Sequence, residues 1–518
     1  MIEVTGNSLT IEQVVAVARG GTKVAPLSVE VCERMIRSQR WVASALNDNK
    51  VIYGINTGFG PLATTSIEAE EAITLSRNVI LACLVGVGRP LAEDVVRALM
   101  VVRANALAKG FSGVRPIVVQ TLIDIINAGI TPHIPCKGSL GASGDLAPLA
   151  HLAVVFTCDD TSDGGYSGQA WYQGELLSGA EAMSRAGIER VVPTAKEGLA
   201  LTNGTAFMVA AGTLAVHDAE TLLSHAEISA ALSMEALTGL TAAFHPALQR
   251  INCMQGQIET ADTMLGLVNG SDLVDSVTGR VQDAYSLRCI PQVLGPIRHT
   301  IGFVRDNFSG VLNGATDNPL IVEDHEQGHI SISGGNFHGQ GPAMWLDFLS
   351  IAIAEVASLA ERRIFRLVTP ELSNGLPSML ALKPGLNSGL MMPQYTAAAL
   401  VSDNKTLCHP DSVDSIPSSG NQEDHVSMGA NGARHALEVL ENVRDVLAIE
   451  LMTAAQAIDL REQGPTRLGA GTMLAYELVR EQVDRLDTDR ELSPDIIKLA
   501  NLITSRRMLE IIDIRLKS

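Results

Sequence analysis

Residues 341–368 constrain the fold more than any other part of this chain. The run GPAMWLDFLSIAIAEVASLAERRIFRL is apolar almost all round a helical wheel. A helix of that kind has no flank for water, so it belongs inside a bundle or between subunits. Two further proline-poor stretches, 203–240 and 428–458, also carry helical patterns. Aromatic residues make up only 4% of the chain, while Ala, Leu and Val abound. That bias favours closely packed helices over aromatic-rich sheets. The expected fold class is therefore mainly α. With 518 residues, 46% of them hydrophobic, the chain can form two or three domains or layers. Asp347 and Glu355 interrupt residues 341–360. No uninterrupted apolar run is long enough to span a bilayer, and a buried helix is expected there instead.

The first part of the chain reads differently. Residues 1–195 are punctuated by Gly and Pro and form a mixed, mainly helical region. Helical patterns at Ser28–Leu46 and Ile67–Val85 alternate with loops at Gly54–Gly60 and Pro132–Gly144, and such loops often carry function. Residues 159–168 read as an exposed turn, with strands around Ala170–Leu177. The expected division is 1–195 as an N-terminal region and 196–518 as long helices, ending in amphipathic helices over 470–516.

Charge and composition narrow the function. A net charge of −19 argues against a nucleic-acid partner, because phosphate binding needs a basic surface. Seven cysteines, at 32, 83, 136, 158, 253, 289 and 408, form no CxxC pair. They are expected to be free thiols in a reducing cytosol. The first residues show no basic-then-apolar signal pattern. The twelve histidines are scattered along the chain, and no metal is expected. There is no phosphate-binding GxxxxGK[ST] loop.

The chemically distinctive segment is Gly138-Ser139-Leu140-Gly141-Ala142-Ser143-Gly144-Asp145-Leu146. One reading is a tight turn before a helix Asp145–Val155, with Asp145 as its N-cap. The other is covalent. Gly144 lacks a Cβ, so its amide nitrogen can approach the carbonyl carbon of Ala142. Attack closes a five-membered ring. Loss of one water from the ring and of the Ser143 hydroxyl as a second leaves 4-methylideneimidazole-5-one (MIO), an electrophile that needs no added cofactor. Ser supplies the alkene, Gly the nitrogen, and Ala142 is small enough to permit both.

At this point a family resemblance enters. GSLGASGDLAPLAH, Gly138 to His151, resembles the signature of the histidine and aromatic amino-acid ammonia-lyases. YGINTGFG (Tyr53–Gly60), KEGLALTNGT (Lys196–Thr205), QDAYSLRCIPQVLGP (Gln282–Pro296), DNP (Asp317–Pro319), GGNFHG (Gly334–Gly339) and SGNQEDHVSMG (Ser419–Gly429) match the same family in order. The blocks span roughly residues 50–460. The resemblance is closest overall to the histidine branch. It implies a fumarase- and aspartase-like fold with a central bundle of long helices. It also implies a homotetramer of dihedral symmetry whose active sites draw on more than one subunit.

The resemblance assigns roles. Ala142, Ser143 and Gly144 would form the electrophile. Tyr53 matches the base that takes the β-proton, although an unperturbed phenol titrates near about 10 and needs a positive field to act so. Gly54, Gly58 and Gly60 would let its loop close over the site. Arg288 matches the residue gripping the substrate carboxylate, for which a planar fork is suited. Asn203 matches an amide that contacts carboxylate or cofactor, and Tyr285 a phenol beside the electrophile. Gln282 and Phe337 would line the site. Each has a plainer reading: a turn-capping Tyr53, a surface salt bridge for Arg288, a helix cap for Asn203 and core packing for Tyr285. Asp145 is expected to be structural.

Two positions disagree about the substrate. Glu423 resembles the histidine branch, where phenylalanine and tyrosine lyases usually carry Gln. Ala82-Cys83 departs from it, because histidine lyases read Ser-His there, and that His contacts the imidazole. A thiol is too weak a donor to replace it. The expected activity is elimination of ammonia from an L-histidine-like or aromatic L-amino acid to an α,β-unsaturated acid. A 2,3-aminomutase using the same electrophile is an alternative. A non-catalytic binding protein is a third, against which the intact Tyr53, Arg288 and Ala142-Ser143-Gly144 argue.

Overall fold

The structure is a computed structural model and describes residues 1–48, 51–326 and 328–517. Helices dominate, as the apolar patterning requires. The longest are Ala206–Ala236, Gln340–Val368 and Gly429–Asp459, in step with the three proline-poor stretches. Among the described residues, sheet is confined to small antiparallel pieces. Val87–Pro90 pairs with Pro135–Lys137, and Leu320–Asp324 with Gly328–Ile332. Gln169–Tyr172 lies between Thr131–Pro132 and Glu175–Ser178, where strands were expected.

Local chemistry sets the helix ends. Ser28 caps Val29–Asn47 by accepting the Val31 N–H, with its oxygen standing in for a missing backbone acceptor. The helix expected over Ile67–Val85 is shorter, Ala72–Ala82. Its first turns are lost because the Ile67 N–H bonds back to the Asn56 carbonyl and Thr57 bridges Ser66. The Gln340–Val368 helix does reach the length and mean apolarity that could cross a membrane, since two acids dilute but do not reverse its average. Yet 56% of its most apolar window is buried within the protein. Asp347 on this helix accepts the N–H groups of Asp411 and Ser412.

The chain forms two compact units, each discontinuous in sequence. The first comprises Met1–His217, Arg305–Asp347 and Pro410–Arg434. The second comprises Asp218–Val304, Phe348–His409 and His435–Ser518. A cut at residue 195 does not separate them. That boundary marks where loops give way to long helices, whereas compactness depends on which residues touch. In the second unit the buried Glu450 accepts from Arg363 at 2.5 and 2.9 Å, and from Ser229 and Ser233 at 2.7 Å each. Every oxygen of that buried carboxylate is thus satisfied, as burial demands.

In the first unit, the Ala72–Ala82 helix packs against the short helix Glu197–Thr202. A Cβ on Gly198 would lie 1.8 Å from the Ser76 carbonyl oxygen, so only glycine permits this approach. Gly198→Ala is expected to lower the unfolding free energy by about 1–3 kcal/mol through overpacking, read by denaturant titration. An unchanged midpoint would show that the two helices can part freely.

Candidate active site

The Gly138–Asp145 loop is tied down from outside itself. The Ser143 carbonyl accepts from Asn203 Nδ2 at 2.8 Å and from the Gly204 N–H at 3.3 Å. The Asp145 N–H donates to the Gly204 carbonyl at 2.7 Å, and the Met428 N–H to the Leu140 carbonyl at 2.8 Å. The Gly141 carbonyl accepts from Ser427 Oγ and the Gly339 N–H. Gly144 sits at φ +72°, and a Cβ there would lie 2.2 Å from the Gly204 carbonyl. Only glycine fits. Among the described residues, neither the Ala142 carbonyl nor the Gly144 N–H takes part in a hydrogen bond. These are the two groups that ring closure would join, so closure would break no hydrogen bond.

Asp145 occupies the N-cap position of the Leu146–Phe156 helix but makes no capping bond to it. Its Oδ2 accepts the Met208 N–H at 3.0 Å instead. The start of the Ala206–Ala236 helix offers unpaired N–H donors and takes this carboxylate. Burial pushes the Asp145 carboxyl up to about 7, against the opposing pull of the Met208 and Phe207 N–H groups, Ser139 and Arg103. Asn203 likewise serves the loop through Nδ2, while its Oδ1 is buried without a partner.

Beneath Asn203 lies a buried ionic group. Arg103 Nη2 donates to the Asn203 carbonyl at 2.8 Å. Burial lowers the Arg103 guanidinium to about 10, while Asp317 and Asp145 favour its charge. Lys196 Nζ meets Asp317 Oδ2 at 2.7 Å, and Ser112 donates to the other Asp317 oxygen at 2.8 Å. Two buried cations thus face two buried carboxylates, an arrangement that holds its members in place more than it stabilises the fold.

Ala142 and Ser143 line a cavity of about 750 Å³, within the range that holds small ligands. Of the residues marked out by sequence, Tyr53, Ala82, Cys83, Asn203, Phe337 and Glu423 line it too. The Gly60 N–H donates to Tyr53 Oη at 3.4 Å. Glu423 is fully engaged: Ser143 Oγ donates to Oε1 at 2.5 Å, and Ser418 and Ser419 donate to Oε2 at 2.6 and 2.9 Å. Burial resists ionisation of Glu423, but the three hydroxyls outweigh it and hold the carboxyl below its ordinary range. Burial pushes the Cys83 thiol up to about 11, so it is neutral at physiological pH.

Gln282, Tyr285 and Arg288 line no part of this cavity. They belong to the second unit, where Gln282 and Arg288 line a separate cavity of about 350 Å³. Tyr285 and Arg288 share a face of the four-residue helix Tyr285–Arg288, with the guanidinium 4.6 Å from the ring centroid. Tyr285 is 69% exposed. These three thus stand in a different compact unit from Ser143.

Several cavity residues escaped the sequence reading. His338 and His425 stack with ring centroids 5.6 Å apart, and both line the cavity. They lie in the GGNFHG and SGNQEDHVSMG blocks, whose pattern alone assigns them no role. Leu75, Asn78 and Val79 also line it. Their helical spacing with Ala82 was legible, but which way the stripe faces was not. Arg103 had no signal, being one of two arginines in the helix Glu93–Ala108, which also carries Glu93, Asp94 and Asn105.

Comparison with known proteins agrees with this geometry. The family model for aromatic amino acid lyase matches residues 9–481. The chain is 48% identical to a histidine ammonia-lyase of Treponema denticola, over 99% of this chain and 98% of the relative. A tyrosine aminomutase from Streptomyces globisporus superposes with a TM-score of 0.91 at 37% identity, covering 99% of this chain and 98% of that one. A histidine ammonia-lyase from Trypanosoma cruzi gives a TM-score of 0.89 at 37% identity, over 99% and 95% of the two chains. The match runs through every motif block around Ser143 and across nearly the whole helical fold, and the chain belongs to the aromatic amino acid lyase family of ammonia-lyases and aminomutases.

Proposed function

We propose that this ammonia-lyase acts on L-histidine, releasing ammonia and leaving the α,β-unsaturated acid urocanate. The observation that carries the reading is the meeting of Tyr53, Asn203 and Glu423 with Ser143 around one cavity, in a chain nearly half identical to a histidine ammonia-lyase. An ionised Glu423 suits a cationic or hydrogen-bonding substrate group.

The residues present fit MIO formed from Ala142-Ser143-Gly144. The Ala142 carbonyl and Gly144 N–H are uncommitted, the Gly144 approach excludes a Cβ, and the Asn203 amide holds the Ser143 carbonyl. Once formed, the group would supply an electrophilic carbon that turns the substrate's amine into a better leaving group. Tyr53 Oη takes the β-proton, which is barely acidic and needs a placed base. Asn203 positions the loop, and Phe337 walls the site. Arg288 grips the substrate carboxylate, and Tyr285 stands beside the amine. Both are supplied by another copy of the chain in a homotetramer, which accounts for an exposed Tyr285 stacked on Arg288 outside the Ser143 cavity. Among the described residues no cluster of three or more His, Cys, Asp or Glu could hold a metal ion. All seven cysteines are free thiols, which supports a cytoplasmic location.

A second reading, a larger aromatic substrate, is favoured by the small and neutral Ala82-Cys83 wall. A panel of histidine, phenylalanine, tyrosine and ring-substituted analogues, followed by ultraviolet absorbance, separates the two. Urocanate as the fastest product supports histidine; a faster cinnamate-type product overturns it. Chromatographic detection of a β-amino acid would make the enzyme a 2,3-aminomutase. Cys83→His is expected to raise kcat/KM for histidine about tenfold, the worth of one neutral hydrogen bond. An unchanged value would mean that residue 83 does not reach the ring.

A further inference from the structure

We propose that Asn78 is a specificity-determining residue whose side-chain amide hydrogen-bonds the substrate's ring. The inference rests on the histidine reading above. It starts from one helix face. Leu75, Asn78, Val79 and Ala82 follow the i, i+3, i+4, i+7 spacing of a single stripe on the Ala72–Ala82 helix. All four line the Ser143 cavity, as does Cys83 just beyond the helix end.

That face cannot turn away. On the opposite side Ser76 Oγ donates to the Thr194 carbonyl and accepts the Gly198 N–H, both at 2.6 Å. Arg77, only 4% exposed, donates to Thr157 Oγ1 at 2.9 Å and also bonds Asp159 and the Tyr166 carbonyl. The same Gly198 contact locks the helix against Glu197–Thr202, whose next residue is Asn203. Asn78 and Asn203 are therefore held in mutual register by one close helix packing.

The chemistry of the face leaves a single candidate. Leu75, Val79 and Ala82 carry no polar side-chain atoms. The Cys83 thiol stays protonated and is a weak donor. Across the cavity Glu423 Oε2 already accepts two serine hydroxyls, and Oε1, bonded to Ser143 Oγ until that hydroxyl is lost, lies on the electrophile's side of the cavity and not on this face. Asn78 differs from all of these. Asn78 is exposed, lines the cavity and, among the described residues, makes no side-chain hydrogen bond. An amide offers two N–H donors and a carbonyl acceptor, so it can pair with either nitrogen of an imidazole. A phenyl ring offers it nothing. Asn78 thus separates a ring bearing nitrogen from a plain aromatic one, because a polar group left unpaired by the wrong ring is penalised.

The test compares wild type, Asn78→Leu, Asn78→Ser and Asn78→Gln on L-histidine and L-phenylalanine, with the thermal unfolding midpoint of each. Inhibition constants of imidazole-4-propionate and 3-phenylpropionate give a second measure of the same preference. Asn78→Leu is expected to lower the histidine-to-phenylalanine ratio of kcat/KM about tenfold, mainly through KM, at an unchanged midpoint. The inhibitor preference should fall in parallel. Asn78→Ser should lie close to Leu, and Asn78→Gln nearer wild type. If Asn78→Leu does not fold, Asn78→Ser decides the matter by the same ratios. A wild type active on histidine, with variants that keep both ratios within twofold, overturns the inference alone. A wild type that does not deaminate histidine overturns the histidine reading and this inference with it.

Discussion

Ser143→Ala is expected to stop ammonia release from every amino acid, lowering kcat at least about a thousandfold. Without the Ser143 hydroxyl there is no second water to lose and no alkene to form. Intact mass gives a readout independent of turnover. The wild-type peptide spanning Ala142–Gly144 should be lighter than its sequence by two waters, and the variant peptide should never show that loss. The fold should survive. Ser143 Oγ makes one hydrogen bond, to Glu423, and Ser418 and Ser419 continue to satisfy the other oxygen of that carboxylate. A Ser143→Ala protein that keeps the wild-type rate would sink the electrophile and the elimination mechanism together.

Tyr53→Phe is expected to produce the next largest loss, about 10²–10⁴ in kcat, the usual span for removing a placed acid–base group. The variant isolates chemistry from folding. The only hydrogen bond to the Tyr53 hydroxyl among the described residues comes from the Gly60 N–H at 3.4 Å. A contact that long contributes less than about 1 kcal/mol. The aromatic ring remains to wall the cavity. Phenylalanine at 53 should therefore leave the unfolding midpoint and the two-water mass loss unchanged while the rate collapses. A rate within tenfold of wild type would move the base to another cavity residue, for which His425, stacked on His338 with no hydrogen bond at its ring nitrogens among the described residues, is a concrete alternative.

Long-helix architecture was legible because helical periodicity is a local property. Each of the three proline-poor stretches became a helix of about thirty residues. The Ala142-Ser143-Gly144 electrophile was legible for a related reason. Ring closure joins residues two apart, so its requirements are written in three consecutive letters. Loss of the expected first turns at Ile67 shows the limit of such reading. Pairing of residues 65–67 back onto residues 56–58 outcompeted a helical pattern that was otherwise sound.

The sequence by itself determined the helical class, the family and the atoms that can become an electrophile, because each depends on neighbours along the chain. Tertiary structure alone decided who stands around Ser143. It moved the Asp145 carboxylate from its own helix to the N–H of Met208, and placed Arg103 beneath Asn203. It turned the Leu75–Ala82 stripe towards the cavity, left Asn78 there without a partner, and kept Tyr285 and Arg288 in a different unit. The physical reason is one and the same. A side chain's partners are chosen by desolvation and packing among residues tens to hundreds of positions apart, and no local pattern encodes which buried donor will meet which acceptor.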